Sequence, residues 1–221
     1  MFSIVYLHGF ASSPQSNKAR LFADYFASKG VPFAAPDLNA PAFRSLSLTR
    51  SIQAAEEASR GASQVCVIGS SLGGYAAAFW AAQREAEGRP LRAGMLMAPA
   101  FGADRLWRAG VGPKALERWK ESGELPLRGR DGSWLYGPEY PVLDYDFYVD
   151  LERWAATPLE LSTPLLVFHG ELDEVVPVSH SREFASGRSH VTLEVFAEGQ
   201  HSLETEAPLM AEKAWQLFQQ A

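Results

Sequence analysis

Short runs of apolar and β-branched residues recur along the chain, and longer segments with helical periodicity separate them. Six runs have the length and composition of strands: residues 3–7, 30–34, 64–68, 93–97, 165–168 and 191–196. Five segments between them are predicted to be helices: residues 15–29, 48–60, 72–87, 178–185 and 207–219. Each of the first three helices is followed by a glycine, which favours the left-handed backbone typical of helix C-termini.

This alternation of strands and helices predicts an α/β fold. Strands connected through helices run parallel, and the helices cover both faces of the sheet. The third strand agrees with this arrangement, because residues 65–68 (VCVI) are apolar without interruption, as in a strand buried on both faces. We therefore predict a single domain, residues 1–221, with a mostly parallel six-stranded sheet flanked by helices.

The alternation is interrupted between the fourth and fifth strands. Residues 100–163 hold four of the six tryptophans and four of the seven tyrosines, together with many glycines and prolines. Glycine and proline favour turns, so we expect an irregular insertion here, while residues 1–99 and 164–221 form the domain core. Such insertions are commonly lids, and aromatic side chains beside a pocket exclude water. We expect an aromatic-rich lid; the alternative is a small satellite core.

Composition narrows the functional classes. With 221 residues, 47% of them hydrophobic, the chain can bury a substantial core and is not a disordered protein. Twenty Lys and Arg against 26 Asp and Glu give a net charge of −6, which argues against a nucleic-acid partner. One cysteine, no signal-peptide pattern and no apolar run of bilayer length predict a cytoplasmic protein with no disulfide and no membrane span.

The most informative motif is Gly69-Ser70-Ser71-Leu72-Gly73, which fits the pattern G-x-S-x-G with Ser71 at its centre. A predicted strand leads into it and a predicted helix follows it, which is the geometry of a nucleophile elbow. The glycines are needed because the turn strains the backbone at the serine and brings neighbouring segments close together. Ser71 is therefore the candidate nucleophile; the alternative is a plain glycine-rich turn.

A serine hydroxyl needs a base to take its proton and an acid to orient that base. Asp173 follows the fifth strand and His201 follows the sixth, so the chain order is Ser71, Asp173, His201, as in α/β-hydrolases. Glu171 and Glu174 are neighbouring carboxylates, but Asp173 is favoured because it completes the pattern H-G-x-x-D. All three candidates lie beyond strand carboxyl ends, where open α/β sheets place their sites.

Four other histidines compete for the role of base. His8 and His169 each precede a glycine at a strand end, and we predict that both are packed, hydrogen-bonded structural residues. His180 lies in a predicted helix and His190 begins a strand, positions that indicate partly solvated side chains. His201 is therefore the preferred base.

The tetrahedral intermediate of acyl transfer needs backbone N–H groups directed at its oxyanion. The amide of Leu72, the residue after the candidate nucleophile, is the first candidate donor. The amide of Phe10 is the second. It lies in the loop His8-Gly9-Phe10 after the first strand, where Gly9 lets the backbone approach a substrate closely.

Other kinds of site have little support in the sequence. No histidine and carboxylate pair has a recognised metal-ligand spacing, so we expect no metal. Residues 69–74 contain no lysine and do not match G-x-G-x-x-G, which argues against a nucleotide-binding loop. Cys66 lies in an apolar strand and is expected to be an unreactive buried thiol. We expect no cofactor.

Three segments are distinctive as a set: residues 6–19 (YLHGFASSPQSNKA), residues 68–75 (IGSSLGGY) and residues 173–175 (DEV). In this order they resemble the small YqiA-like esterases of the α/β-hydrolase superfamily. The resemblance implies one catalytic domain, a triad of Ser71, Asp173 and His201, and cofactor-independent hydrolysis of carboxylic esters. It is loosest over residues 101–163, so it does not imply a substrate.

The residues and the resemblance together predict a serine esterase for small or medium apolar acyl groups, acting through an acyl-enzyme on Ser71. An acyl thioesterase or an acyltransferase would use the same triad, because the triad does not select the leaving group or the acceptor. The insertion contains basic residues that a large thioester substrate would favour: Arg105, Arg108, Lys114, Arg118 and Lys120. A remoter alternative is a non-catalytic module that binds a small ligand.

Overall fold

The computed structural model describes residues 2–129 and 131–221. Its strands, numbered in chain order, are β1 (Ser3–Leu7), β2 (Phe33–Ala34), β3 (Val65–Ser70), β4 (Ala93–Met97), β5 (Glu124–Pro126), β6 (Val142–Asp144), β7 (Leu165–Gly170) and β8 (Val191–Phe196). In this part of the chain, six of them form one sheet in the order β2-β1-β3-β4-β7-β8, and every neighbouring pair is parallel. The predicted six-stranded α/β sheet is confirmed.

Helices cover both faces of this sheet. In chain order they are α1 (Asn17–Ser28), α2 (Leu48–Ala58), α3 (Leu72–Ala86), α4 (Ala103–Val111), α5 (Pro113–Ser122), α6 (Asp146–Ala155), α7 (Val178–Ala185) and α8 (Ala207–Gln220), with a short 3₁₀ helix at Phe43–Ser45. The glycines that were expected to end the first three helices, Gly30, Gly61 and Gly88, all have positive φ. Gly30 and Gly88 directly follow the C-cap residues of α1 and α3, as predicted, and Gly61 lies two residues after the C-cap of α2.

The third strand shows why its sequence is apolar throughout. Val65 and Val67 pack into the core on the face that carries α2 and α3. Cys66 and Ile68 point to the opposite face, where they pack with residues of α1 and α8. Because alternate side chains of a strand point to opposite faces, a strand buried on both sides needs apolar residues at every position.

The prediction of an irregular insertion was wrong. Residues 100–163 form the helices α4, α5 and α6 and an antiparallel ribbon of β5 and β6. Gly112 and Gly123 have positive φ and end α4 and α5, and Pro113 is the first residue of α5. These residues therefore mark the ends of short helices rather than a continuous loop.

The insertion shares the core of the rest of the chain. Trp119 and Phe147 are almost fully buried and belong to the same apolar cluster as residues of α2 and α3. The indole of Trp119 also donates a hydrogen bond to the carbonyl oxygen of Leu143 at 3.0 Å. Asp150 of α6 accepts two hydrogen bonds from Thr49 at the start of α2, one of them from the amide at 2.9 Å. The insertion is packed onto the sheet side that carries α3.

Close backbone contacts fix the start of α3 against the sheet. A Cβ atom on Gly73 would overlap the carbonyl oxygens of Leu7 and His8 at the end of β1. A Cβ atom on Gly69 would lie 2.6 Å from the carbonyl oxygen of Gly73. Only glycine fits at these positions. The missing side chains let the turn between β3 and α3 pack directly against the end of β1.

We predict that Gly73→Ala lowers the free energy of unfolding by about 3 kcal/mol or more, because the backbone of β1 must move to admit one methyl group. Gly110→Ala is the matched control. No heavy atom lies within 4 Å of a Cβ at Gly110, and the residue lies in a helix, so the variant should gain about 0.5–1 kcal/mol. Urea denaturation of both variants measures the difference; equal stabilities would contradict the close contact.

Candidate active site

Ser71 lies at the sharp turn between β3 and α3. Its backbone has φ of 51° and ψ of −118°, a conformation that costs a non-glycine residue about 1–3 kcal/mol. Hydrogen bonds hold it there: its amide donates to the carbonyl oxygen of Met97 at 2.9 Å, and its own carbonyl accepts from Tyr75 and Ala100, each at 3.0 Å. The turn therefore presents the hydroxyl of Ser71 at the carboxyl edge of the sheet.

His201 lies between Ser71 and Asp173. Its Nε2 atom is 3.0 Å from the Ser71 hydroxyl, and its Nδ1 atom is 2.8 Å from Oδ2 of Asp173. A carboxylate accepts hydrogen bonds, so Nδ1 carries the proton and Nε2 is left to accept the proton of the hydroxyl. The structure thus brings together the three residues that the sequence selected, from loops after β3, β7 and β8.

The carboxylate of Asp173 is buried and fully hydrogen-bonded. Oδ1 accepts from the amides of Val175 and Val176 at 2.9 and 2.8 Å, and Oδ2 faces His201 and, at 3.2 Å, Nε2 of His169. Burial alone would raise the pKa of Asp173, but the hydrogen bonds from His169, His201 and the Val176 amide outweigh it and hold the pKa below its ordinary value. Asp173 is therefore a stable carboxylate.

His169 contacts Asp173, which the sequence analysis did not predict. It is fully buried, as expected of a packed residue. Its Nδ1 is 2.7 Å from the hydroxyl of Ser181, and its Nε2 lies between the carbonyl oxygen of Val176, at 2.9 Å, and Asp173. Both groups near Nε2 are acceptors, so Nε2 donates and fixes the orientation of the acid. Both residues belong to the H-G-x-x-D pattern, in which His169 lies four residues before Asp173.

The two expected oxyanion donors, the amides of Phe10 and Leu72, belong to segments that lie close to Ser71. Gly9 passes close to Ser71, since a Cβ atom on Gly9 would lie 3.4 Å from Cβ of Ser71. Leu72 is the first residue of α3, where amides have no partner within the helix. Within residues 2–129 and 131–221, no backbone acceptor is assigned to the amide of Phe10 or of Leu72. The Leu72 N–H lies at the positive end of the α3 dipole, directly after Ser71 in the chain.

The remaining histidines and carboxylates occupy positions outside this arrangement. His8 is buried, accepts a hydrogen bond from the amide of Leu38 at 3.0 Å, and has a pKa that burial lowers. His180 and His190 are partly buried, and Nδ1 of His180 donates to a backbone carbonyl. Glu171 and Glu174 are exposed. The buried thiol of Cys66 has a pKa raised to about 12 by burial, which makes it unreactive.

Aromatic side chains surround the ring of Phe10. The ring centroids of Trp107 and Tyr136, both in the insertion, lie 5.1 and 5.2 Å from it, and that of Phe43 lies at 5.2 Å. Tyr136 is 48% exposed and its neighbour Leu135 is 56% exposed. An aromatic cluster with a partly exposed apolar rim therefore lies directly beside the expected oxyanion loop.

Sequence reasoning missed one charged residue at this site. Lys18, near the start of α1, places its ammonium 3.0 Å from the hydroxyl of Ser70, the residue before the candidate nucleophile. The lysine lies within the segment of residues 6–19 that carries the family resemblance, but no local pattern indicates that it reaches the end of β3.

No group of three or more His, Cys, Asp or Glu side chains in residues 2–129 and 131–221 has the geometry to hold a metal ion. In the same part of the chain, no helix has both the length and the apolar character to cross a membrane.

Comparison with known proteins identifies relatives by sequence and by fold. A family model described as the uncharacterised protein family UPF0227 matches residues 3–214. No curated protein sequence matches the chain. Among solved structures, a putative hydrolase from Agrobacterium vitis S4 superimposes with a TM-score of 0.85 at 20% identity, over 98% of this chain and 88% of that one.

Two other solved structures have the same fold. Alpha/beta hydrolase domain-containing protein 10 from mouse is 19% identical with a TM-score of 0.80, over 99% of this chain and 90% of that one. Est1E from Butyrivibrio proteoclasticus, in its complex with ferulic acid, is 18% identical with a TM-score of 0.76. The match covers 98% of this chain and 89% of that one. At these identities the likeness establishes the α/β-hydrolase fold.

We predict that Asp173→Asn destabilises the protein at neutral pH by about 1–3 kcal/mol, because an amide NH₂ would face one of the N–H donors around the carboxylate. Asp24→Asn, at an exposed position, is the control and should change little.

The effect of Asp173→Asn should depend on pH. The folded state holds the pKa of Asp173 below its ordinary value of 3.8, so its stabilising contribution is complete above about pH 4–5 and is lost as the pH falls further. The difference in Tm between wild type and Asp173→Asn should therefore shrink from pH 7 to pH 3. A constant difference would contradict a hydrogen-bonded carboxylate.

Proposed function

This chain belongs to the UPF0227 family, and we propose that it is a serine hydrolase that cleaves carboxylic esters of small or medium apolar acyl groups through an acyl-enzyme on Ser71. The observation that carries the proposal is the continuous hydrogen-bonded line from Asp173 through His201 to the Ser71 hydroxyl, at 2.8 and 3.0 Å. Hydrolases and esterases with the same fold add support.

In the acylation step, Nε2 of His201 takes the proton of Ser71 as Oγ attacks the ester carbonyl carbon. The carbonyl oxygen becomes an oxyanion that accepts hydrogen bonds from the amides of Phe10 and Leu72. The carbon–oxygen bond to the leaving group then breaks, and His201 gives its proton to the departing alkoxide. An acyl ester on Ser71 and a free alcohol result.

In the deacylation step, a water molecule replaces the alcohol. His201 takes a proton from the water as its oxygen attacks the acyl carbon, and later returns the proton to Oγ of Ser71. Asp173 stays ionised throughout and stabilises the imidazolium that forms in each half-reaction. The carboxylic acid leaves and the enzyme is regenerated without a cofactor.

The aromatic cluster beside Phe10 supports the preference for apolar acyl groups. We propose that residues 1–99 and 164–221 form the catalytic core of one domain and that residues 100–163 act as its lid. Tyr136 and Leu135, both about half exposed, would then contact the acyl chain. Burial of an apolar chain against these side chains is favourable by about 25 cal/mol per Å².

An acyl thioester would pass through the same steps, with a thiolate as the leaving group. The insertion gives this alternative limited support. The guanidinium of Arg108 donates to the hydroxyl of Tyr148 and pairs with Glu152, so its charge is already balanced within the protein. Comparing p-nitrophenyl esters with acyl thioesters of the same acyl group decides between the two substrates.

We predict that Ser71→Ala lowers kcat for p-nitrophenyl butyrate by at least about 10³-fold, because it removes the nucleophile. A fluorophosphonate probe should label wild type and fail to label Ser71→Ala. Ser63→Ala, at an exposed serine, serves as the control and should keep both activity and labelling. If wild type and Ser71→Ala hydrolyse the ester at the same rate, Ser71 is not the nucleophile; absence of activity and labelling in folded wild type favours a non-catalytic module.

We also predict that Tyr136→Ala raises KM for p-nitrophenyl octanoate by about 3–10-fold and changes KM for the acetate less than about twofold, because the longer chain loses an apolar contact. Leu209→Ala removes an equally exposed apolar side chain on α8 and is the control. Equal changes for both esters would show that Tyr136 does not contact the acyl chain.

A further inference from the structure

Lys18 makes two contacts on opposite sides of the candidate active site. Its ammonium donates to the hydroxyl of Ser70 at 3.0 Å and to the carbonyl oxygen of Ser202 at 2.6 Å. Ser70 precedes Ser71 in the chain, and Ser202 follows His201. A single cation therefore connects the backbone neighbours of the two residues whose separation decides whether the hydroxyl can be deprotonated.

The position of Lys18 is unfavourable for a lysine. It is the second residue of α1, after the N-cap Ser16, where the helix dipole disfavours a positive charge. Burial lowers the pKa of Lys18 to about 8, although Glu204 and Asp173 oppose that shift. A charge kept in a site that costs stability is more often found where a protein acts on a ligand than at an ordinary surface position.

The loop that carries His201 needs such support. It lies between β8 and α8, and Leu203 within it has φ of 47°, a strained value for a leucine. Its other anchors are the close contact of Gly199 with Gly170, the amide of Leu172 bonded to the Gly199 carbonyl, and the buried side chain of Leu203. Within the described residues, the one other hydrogen bond from this loop to Ser70 or Ser71 is that of His201 with the Ser71 hydroxyl itself.

We propose that Lys18 is a positioning residue that holds His201 within hydrogen-bond distance of Ser71 by bridging Ser202 and Ser70. This inference rests on the proposed function, since it assigns a role within the same reaction. Lys18 acts through these neighbours and not on the substrate. Misplacing a catalytic group by about 1 Å can lower a rate by about 10²-fold, so a bridge of this kind has a measurable effect on kcat.

Because the bridging group is the charged ammonium of Lys18, we expect the effect of the bridge on kcat to depend on pH. The groups that face Lys18 are Ser70 at the end of β3, Ser202 and Glu204 in the loop after β8, and Asp173 in the loop after β7. Through neutral and alkaline pH, Asp173 stays ionised, because its pKa lies below its ordinary value, whereas Lys18 changes charge. Above about pH 8 it becomes a neutral amine, whose hydrogen bonds are weaker than those of an ammonium.

The test compares Lys18→Met with Lys29→Met. Methionine keeps the length of the side chain and removes the charge and the donors, and Lys29 is an exposed lysine just after the same helix. We expect Lys18→Met to lower kcat for p-nitrophenyl butyrate by about 10–100-fold while KM changes less than about threefold. Lys29→Met should match wild type.

The pH profile gives a readout that a purely structural role would not change. Wild-type kcat should fall by about threefold or more as the pH rises through 8, and Lys18→Met should show no such fall. A folded Lys18→Met with wild-type kcat, or one that retains the alkaline decline, would overturn the proposal.

A second variant tests the bridge if Lys18→Met folds poorly. Ser70→Ala removes one acceptor of the bridge and should lower kcat by about 3–10-fold. Adding Ser70→Ala to Lys18→Met should lower kcat by no more than about another twofold, because both changes break the same hydrogen bond between Lys18 and Ser70. Additive losses would overturn the proposal.

The failure of this inference is distinguishable from failure of the proposed function. Ester hydrolysis that is lost in Ser71→Ala but unchanged in Lys18→Met supports the function and rejects the bridge. Hydrogen exchange of the amides of residues 199–204 tests the bridge without a substrate: faster exchange in Lys18→Met supports it, and unchanged exchange rejects it.

Discussion

The strained backbone at Ser71 is the constraint on which the rest of the site depends. Its positive φ turns the chain sharply from β3 into α3 and raises the hydroxyl above the sheet edge. The strain persists because neighbouring groups leave no alternative: Gly73 packs directly on the carbonyl oxygens at the end of β1, and the amide of Ser71 is bonded to Met97 of β4. The contacts with the sheet thus hold the backbone of Ser71 in an unfavourable conformation.

The parallel sheet then supplies the remaining groups. Strand carboxyl ends meet at one edge, so the loops after β7 and β8 deliver Asp173 and His201 to the edge that carries Ser71. The carboxylate of Asp173 is fixed by four donors, including His169, and its low pKa follows from them. Because the Asp173 carboxylate is fixed, the imidazole of His201 has a single tautomer and a single orientation, and a serine nucleophile requires both.

Most of this arrangement could be predicted from sequence because its determinants are local. Uninterrupted apolar runs such as residues 65–68 identify strands buried on both faces, and the glycines around Ser71 identify the turn. The helices of the insertion are hard to predict because Gly112, Pro113 and Gly123 favour turns when taken alone, whereas in the structure they mark helix ends. Contacts distant in sequence had no local pattern: Lys18 meets Ser70 across 52 residues and Ser202 across 184.

In the proposed reaction an acyl group is transferred to Ser71. The most direct measurement mixes the protein with excess p-nitrophenyl butyrate, quenches the reaction with acid within milliseconds to seconds, and locates any added mass by peptide mass spectrometry. We expect a butyryl group on the peptide that contains Ser71, formed with a burst of p-nitrophenol and absent from Ser71→Ala. A butyryl group on another residue, or turnover with no acylated serine under any quench time, would contradict it.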